Sequence, residues 1–304
     1  MTRALIAIAA MLAATRGDAD PDPEPVARVP DATAGQIFAG PFASSRLFAM
    51  PVADVIGAYM MSFSGDGSLL QQPGVLTSAG VIAIGFGDLA QLEYRHTEVV
   101  SVTGVDAPVP TVGVELKLPL PVRANAPAVA IAFRHGFNRT EQDRGTAVTE
   151  SVTDLYVVAR ERFAGMPWLT LHAGLRVSPS HIALSPSPAP TPDRTLWLPT
   201  GGLEIAMNHR ARLVGEAGLV PSFRWTPGSA AVIQRAVLGR LGLRWAVIPA
   251  VTLDGSIGYQ LDDTDAVAGG GPRNVVQQWD IRLGAEVFVP WGALACRAVG
   301  AFCK

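Results

Sequence analysis

Residues 235–245, RAVLGRLGLRW, and residues 251–261, VTLDGSIGYQL, decide how this chain folds. In the first, Val237, Leu241, Leu243 and Trp245 share one parity while Arg240 and Arg244 share the other. In the second, Val251, Leu253, Ile257, Tyr259 and Leu261 alternate with Thr252, Asp254, Ser256 and Gln260. Successive side chains of a strand point to opposite faces, so each stretch is a strand with one apolar and one polar face. Joined only by the Ile248-Pro249 link, the two form an antiparallel hairpin.

The same two-residue period extends upstream and downstream. Residues 90–97 set Ala90, Leu92 and Tyr94 against Gln91, Glu93 and Arg95; residues 111–118 set Val112, Val114 and Leu116 against Glu115 and Lys117. Residues 168–177 oppose Leu169, Leu171 and Leu175 to Thr170, His172 and Arg176, and residues 275–288 oppose Trp279, Ile281 and Leu283 to Gln278, Asp280 and Arg282. About twelve such segments run from about Val55 to Phe288, the first of them with apolar residues on both faces. Their links alternate. Long ones are expected near 63–77, 98–110, 138–149, 178–195, 221–234 and 261–274, and short ones near 87–88, 119–126, 164–167, 208–210 and 248–249. The segments read as nine to twelve residues, near the ~9–11 that a tilted strand needs to cross a bilayer, where soluble strands average ~5–6. Aromatics gather near segment ends (Phe86, Phe163, Trp168, Trp225, Trp245, Tyr259, Trp279), where membrane interfaces place them.

Composition points the same way. Charged residues are 16% of 304 and hydrophobic ones 49%, with 31 Gly and 24 Pro. After the first 14 residues no run is apolar enough for a spanning helix, which leaves a closed sheet as the way across a bilayer. The net charge of −2 excludes a nucleic-acid partner, which would call for a clustered basic excess. At the N-terminus, Arg3 followed by the apolar run 4–14 (ALIAIAAMLAA) and small residues reads as an export signal over residues 1–19. Residues 20–52 then read as an acidic proline spacer leading to a lead-in, an inward plug or an extra strand. A plug would set Arg28 or Arg46 against Glu93 or Asp280.

Signal, alternating segments and sorted loops together resemble the Gram-negative outer-membrane β-barrel class over nearly the whole mature chain. The resemblance is architectural and carries no family-specific motif. It implies an all-β fold, a transmembrane antiparallel up-and-down barrel of twelve strands over residues 53–289, with short periplasmic turns and long surface loops. The chain departs from it at the C-terminus: many such barrels end on the aromatic of their last strand, whereas here residues 290–304 follow. They are either a periplasmic tail or a further strand that, with residues 35–50, makes fourteen. That segment holds Cys296 and Cys303, which an oxidising compartment would join as a disulfide.

The polar parity collects the candidate site. Its bases include Arg95, Lys117, Arg134, Arg160, Arg176, Arg240, Arg244 and Arg282, and its acids Glu93, Glu115, Glu204, Glu216, Asp254 and Asp280, with His172 among them. Such residues belong in a water-filled lumen, since an Arg on the lipid face at mid-depth costs ~2–4 kcal/mol. Two functions fit them: a narrow channel passing small polar or anionic solutes, or a lumen filled by cross-strand ion pairs in a barrel that serves periplasmic partners. An outer-membrane hydrolase is the rival of another class. None of the histidines (His96, His135, His172, His181, His209) stands in a nucleophile motif, so no catalytic residue, metal or cofactor is assigned. The acidic residues Asp262, Asp263 and Asp265 read as a solvated loop. The expected partners are outer-membrane lipids and small solutes.

Overall fold

A computed structural model describes residues 44–57, 59–70, 75–87, 89–101, 104–105, 109–118, 127–143, 146–163, 165–186, 193–225, 231–262 and 279–292. Fourteen strands follow in order: β1 (Met61–Leu70), β2 (Val75–Phe86), β3 (Ala90–Ser101), β4 (Gly104–Val105), β5 (Val109–Lys117), β6 (Ala128–Gly136), β7 (Arg139–Asp143), β8 (Thr146–Phe163), β9 (Met166–Ser185), β10 (Asp193–Ala206), β11 (Ala211–Trp225), β12 (Ala231–Ile248), β13 (Val251–Asp262) and β14 (Trp279–Val289). Two of these are accessory. The two-residue β4 folds back on β3, and β7 prolongs β6, both pairing with β8 through Arg134↔Asp154 and Arg139↔Glu150. The remaining twelve pair antiparallel with their neighbours, and β1 pairs β14 from Met61↔Val289 onward, so the sheet closes. Closure leaves no open edge for another chain to pair with.

The closed sheet overturns the fourteen-strand alternative. β1 and β14 are hydrogen-bonded to each other, so there is no gap for a strand from residues 35–50. The wall begins at Met61, and residues 44–57 ahead of it lie inside, with Tyr59 exposed at the mouth. Cys296, Cys303 and the tail beyond Gly292 lie outside the described residues, as do residues 1–43 with the export signal and Arg28, and Asp263 and Asp265.

Strand lengths differ from the expectation of nine to twelve residues. β8 has 18, β9 has 20 and β12 has 18. Residues 146–149 and 178–185, read as parts of long loops, are paired strand: Ala147↔Ser185 and Thr149↔Ala183 belong to the β8–β9 ladder, and Asp193↔His181 to β9–β10. The ladder skips between Val152↔Ser180 and Leu155↔Val177, around Pro179, which has no N–H to give. The first long link likewise shrinks to residues 71–74 between β1 and β2. The alternation in link length is therefore largely an alternation in how far the hairpins project, and it still separates the two ends of the barrel. At the other end the links are shorter except for residues 118–127 between β5 and β6: Gly87 supplies a left-handed φ of 64° between β2 and β3, and residues 249–250 join β12 to β13.

Burial follows the two-residue period. Leu92 and Tyr94, Val112, Val114 and Leu116, Phe133, Leu155 and Val157, Leu241, Leu243 and Trp245, and Leu253, Ile257 and Tyr259 are exposed on the outer face. Their immediate neighbours Glu93, Glu115, Asp154, Arg240, Arg244 and Ser256 are buried within. A water-soluble sheet has the reverse arrangement, with its apolar face covered. Phe86, Trp168, Trp245, Tyr259 and Trp279 stand outward near strand ends, in the positions of membrane-interface aromatics.

Candidate functional site

The inward charges are bound to one another across strands. Arg244 Nε donates to Asp254 Oδ1 at 2.8 Å, and the two residues face each other in the β12–β13 register. Arg176 forks onto Asp154 through Nε and Nη2 at 2.7 and 2.8 Å, while Ser178 Oγ donates to the same carboxylate at 2.7 Å. Arg212 Nη1 reaches Glu204 Oε2 at 2.7 Å, and His172 Nε2 lies 3.0 Å from Glu204 Oε1. Arg134 and Arg95 flank Glu93 at 3.4 and 3.8 Å, Gln91 donates to Glu115 at 3.0 Å, and Arg282 meets Asp66 at 3.3 Å. Arg240 Nη1 donates to Ser256 at 3.1 Å, and Arg240 sits opposite Glu216 in the β11–β12 register. Directly opposed residues of unlike charge stabilise a sheet pair-wise. Every sequence candidate named as lumen-lining falls on this inward parity, except that the Asp280 side chain lies outside the described atoms. His96 and His135 take the outward parity, His96 beside Tyr94 and His135 Nδ1 2.9 Å from Thr153 Oγ1. His181 is in β9 rather than in a loop, 2.5 Å from Asp193.

Residues 44–57 (SSRLFAMPVADVIG) fill the lumen. They turn as a hairpin: Val52 N donates to Ser45 O and Leu47 N to Met50 O, both at 3.0 Å, with Arg46 bridging Pro51. The segment touches strands on every side, which places it inside the closed sheet. Its tip binds β11, where the Glu216 carboxylate accepts from three successive amides, those of Phe48, Ala49 and Met50, at 3.0–3.2 Å. From β12, Arg244 donates to the carbonyls of Arg46 and Leu47, and from β6 Arg134 donates to that of Ala49. Nearer the tight turns, Ile56 N donates to Gln91 on β3, Asp54 is held by Lys117 and Arg160, and Arg46 donates to Ser64 on β1. Backbone groups inside a barrel have no ladder to join, and these ionic side chains satisfy them.

Shape completes the fit. An added Cβ at Gly202 would lie 2.1 Å from Leu47 Cδ1, at Gly242 2.8 Å from Phe48 Cζ, and at Gly174 3.2 Å from Met50 Cε. Three inward glycines on three strands thus leave hollows that the hairpin's large side chains occupy. Leu47, Met50, Val52 and Ala53 pack with Ala130, Ala132, Tyr156, Val158 and Val214 of the wall into one buried apolar cluster. The polar-interior reading missed both the glycines and this cluster. The signal for them was the presence of Gly, Ala and Val at positions of charged parity. A second inward cluster, built on Ile182, Leu196 and Leu198, lies farther along β9 and β10 toward the projecting hairpins. A cavity beside Ala49, Met50, Tyr156, Arg176, Thr200 and Glu216 measures about 40 Å³, room for water and not for an organic solute. His172 Nδ1 is buried without a hydrogen-bond partner, its ring held only through Nε2. No nucleophile is bonded to it among the described contacts.

No family model matches the chain, and no curated protein matches it. Among solved structures, the NanC porin aligns with 75% of this chain and 98% of its own length, at 12% identity and a TM-score of 0.49. The KdgM porin aligns over 75% and 98% at 10% identity and 0.44, and the outer-membrane protein Omp33 of Acinetobacter baumannii over 75% and 97% at 9% and 0.38. The chain's own geometry defines its class. A closed twelve-strand antiparallel sheet, apolar outside and ionic within, is a transmembrane β-barrel of the outer-membrane type.

Proposed function

We propose that this barrel sits in a bacterial outer membrane and is a narrow channel for small polar or anionic solutes, with residues 44–57 occupying its lumen in this conformation. The observation that carries the reading is the ionic lining. Each of β3, β5, β6, β8, β9, β10, β11, β12, β13 and β14 turns at least one charged side chain inward, where a barrel without a water path would be filled more cheaply by apolar residues. Arg134 and Arg244 donate to the hairpin's backbone and Arg240 stands opposite Glu216, so basic side chains gather around the hairpin tip. Passage is diffusion past these walls, with no cofactor and no covalent step. The hairpin also supports a second reading, a permanently filled barrel serving periplasmic partners.

Single-channel recording of the refolded protein in a planar bilayer under a salt gradient separates the two. Discrete openings with an anion-biased reversal potential are the expected result, and Arg240→Ala should weaken the bias. A barrel that remains silent even after the hairpin is replaced by Gly and Ser would end the channel reading and favour the second.

A further inference from the structure

We propose that residues 44–53 are a reversible gate, swung out of the lumen as one unit from a fixed base, residues 54–57 with Tyr59 and Met60, at the tight-turn mouth. The inference rests on the channel reading and adds how that channel is opened. Three observations support it.

First, the two wall arginines that hold the hairpin's backbone keep partners when it leaves. Arg244 retains Asp254 at 2.8 Å and Arg134 retains Glu93 at 3.4 Å, while Lys117 and Arg160 stay on Asp54 in the base. Glu216 stands opposite Arg240. Removing a partner from a buried charge is normally prohibitive because it strands the other charge. Here departure strands neither arginine, so the wall suits an occupied and a vacant state alike.

Second, the tip makes no β-ladder with the wall. Its polar contacts are side chain to backbone, released one by one to water without unpairing a strand. Third, the base is clamped. The carbonyls of Ile56 and Gly57 press against Gly85, where an added Cβ would lie 2.3 and 2.4 Å from them. Met60 O accepts from Gly85 N, Tyr59 O accepts from Gly292 N, and the Tyr59 ring packs edge-on against Trp291. Tyr59 itself adopts a left-handed φ of 56°, a reversal that turns the segment back into the lumen. Motion is thereby confined to the hairpin beyond its base.

The test is single-channel recording of four proteins: the full chain, Glu216→Gln, Leu47→Asp, and a chain with residues 46–53 replaced by Gly and Ser. Leu47→Asp changes the hairpin alone and leaves the wall intact, so it remains informative if Glu216→Gln disturbs folding. Brief openings of the full chain, roughly tenfold or more frequent in either point variant at unchanged amplitude, are expected, with the Gly/Ser chain open throughout. An amplitude that grows while open frequency stays constant would make the hairpin a fixed constriction, overturning the gate and leaving the channel. A full chain already open at the amplitude of the Gly/Ser chain would overturn the gate in the same way. Silence of all four, with insertion shown by heat-dependent gel mobility, would overturn the channel and the gate together.

Discussion

Leu241→Arg is expected to destabilise the inserted barrel by about 2–4 kcal/mol. Leu241 projects outward from β12, 55% exposed, next to Arg240, which is buried inside. It stands between the level of Trp245 and the level of Tyr259 and Trp279, since its register partner is Ile257 and the neighbouring rung is Gly239↔Tyr259. A guanidinium there must leave water for hydrocarbon or draw the headgroups toward it. One residue away, the same guanidinium is at home. Urea unfolding from phospholipid vesicles, with Leu241→Ala as the reference for lost apolar contact, measures the difference. A cost within about 0.5 kcal/mol of the alanine variant, the range of ordinary surface substitutions, would mean that the outer face meets water and that the sheet does not span a bilayer.

That contrast explains why the wall was legible in the sequence. Each barrel strand separates lipid from the interior, so the decision is made residue by residue and shows as alternation within a single segment, as at Val237–Trp245. Where strands rise beyond the bilayer the rule changes. Residues 178–185 (SPSHIALS) carry Ser, Pro and His that would interrupt a lipid-facing strand, yet residues 178–181 pair with β10 and 180–185 with β8, because there the outer face is free to be polar. The loop boundaries were misplaced for that reason. Residues 44–57 were ambiguous for a different one. Nothing local distinguishes a lead-in, a plug and a strand in SSRLFAMPVADVIG. The decision is made by Glu216, Gly202 and Gly242, which lie more than a hundred residues along the chain and become a seat only after the barrel has closed. Of the two plug arginines, Arg46 does enter the lumen, where it reaches Ser64.

Asp154→Ala is expected to cost about 3 kcal/mol, the lower end of the ~3–5 kcal/mol found when one partner of a buried pair is removed. The lower end applies because Asp154 and Arg176 keep 12% and 15% of their side-chain surface exposed, so water can reach the stranded charge. The carboxylate accepts both arms of Arg176 and the hydroxyl of Ser178. Arg176 in turn lies 5.4 Å from the centre of the Tyr156 ring, and Arg134 lies 5.3 Å from it. The double variant Asp154→Ala with Arg176→Ala should lose less than Asp154→Ala alone, since it strands no guanidinium. Vesicle unfolding of the three proteins checks this, and losses that simply add would show that the pair is solvated and contributes little. The consequence extends to the hairpin, because Tyr156 packs in the apolar cluster that receives Leu47 and Met50. An Asp154→Ala barrel that stays inserted should therefore also open more often than the parent. The pair at β8 and β9 then bears on closure as well as on stability, by holding one side of the seat in place.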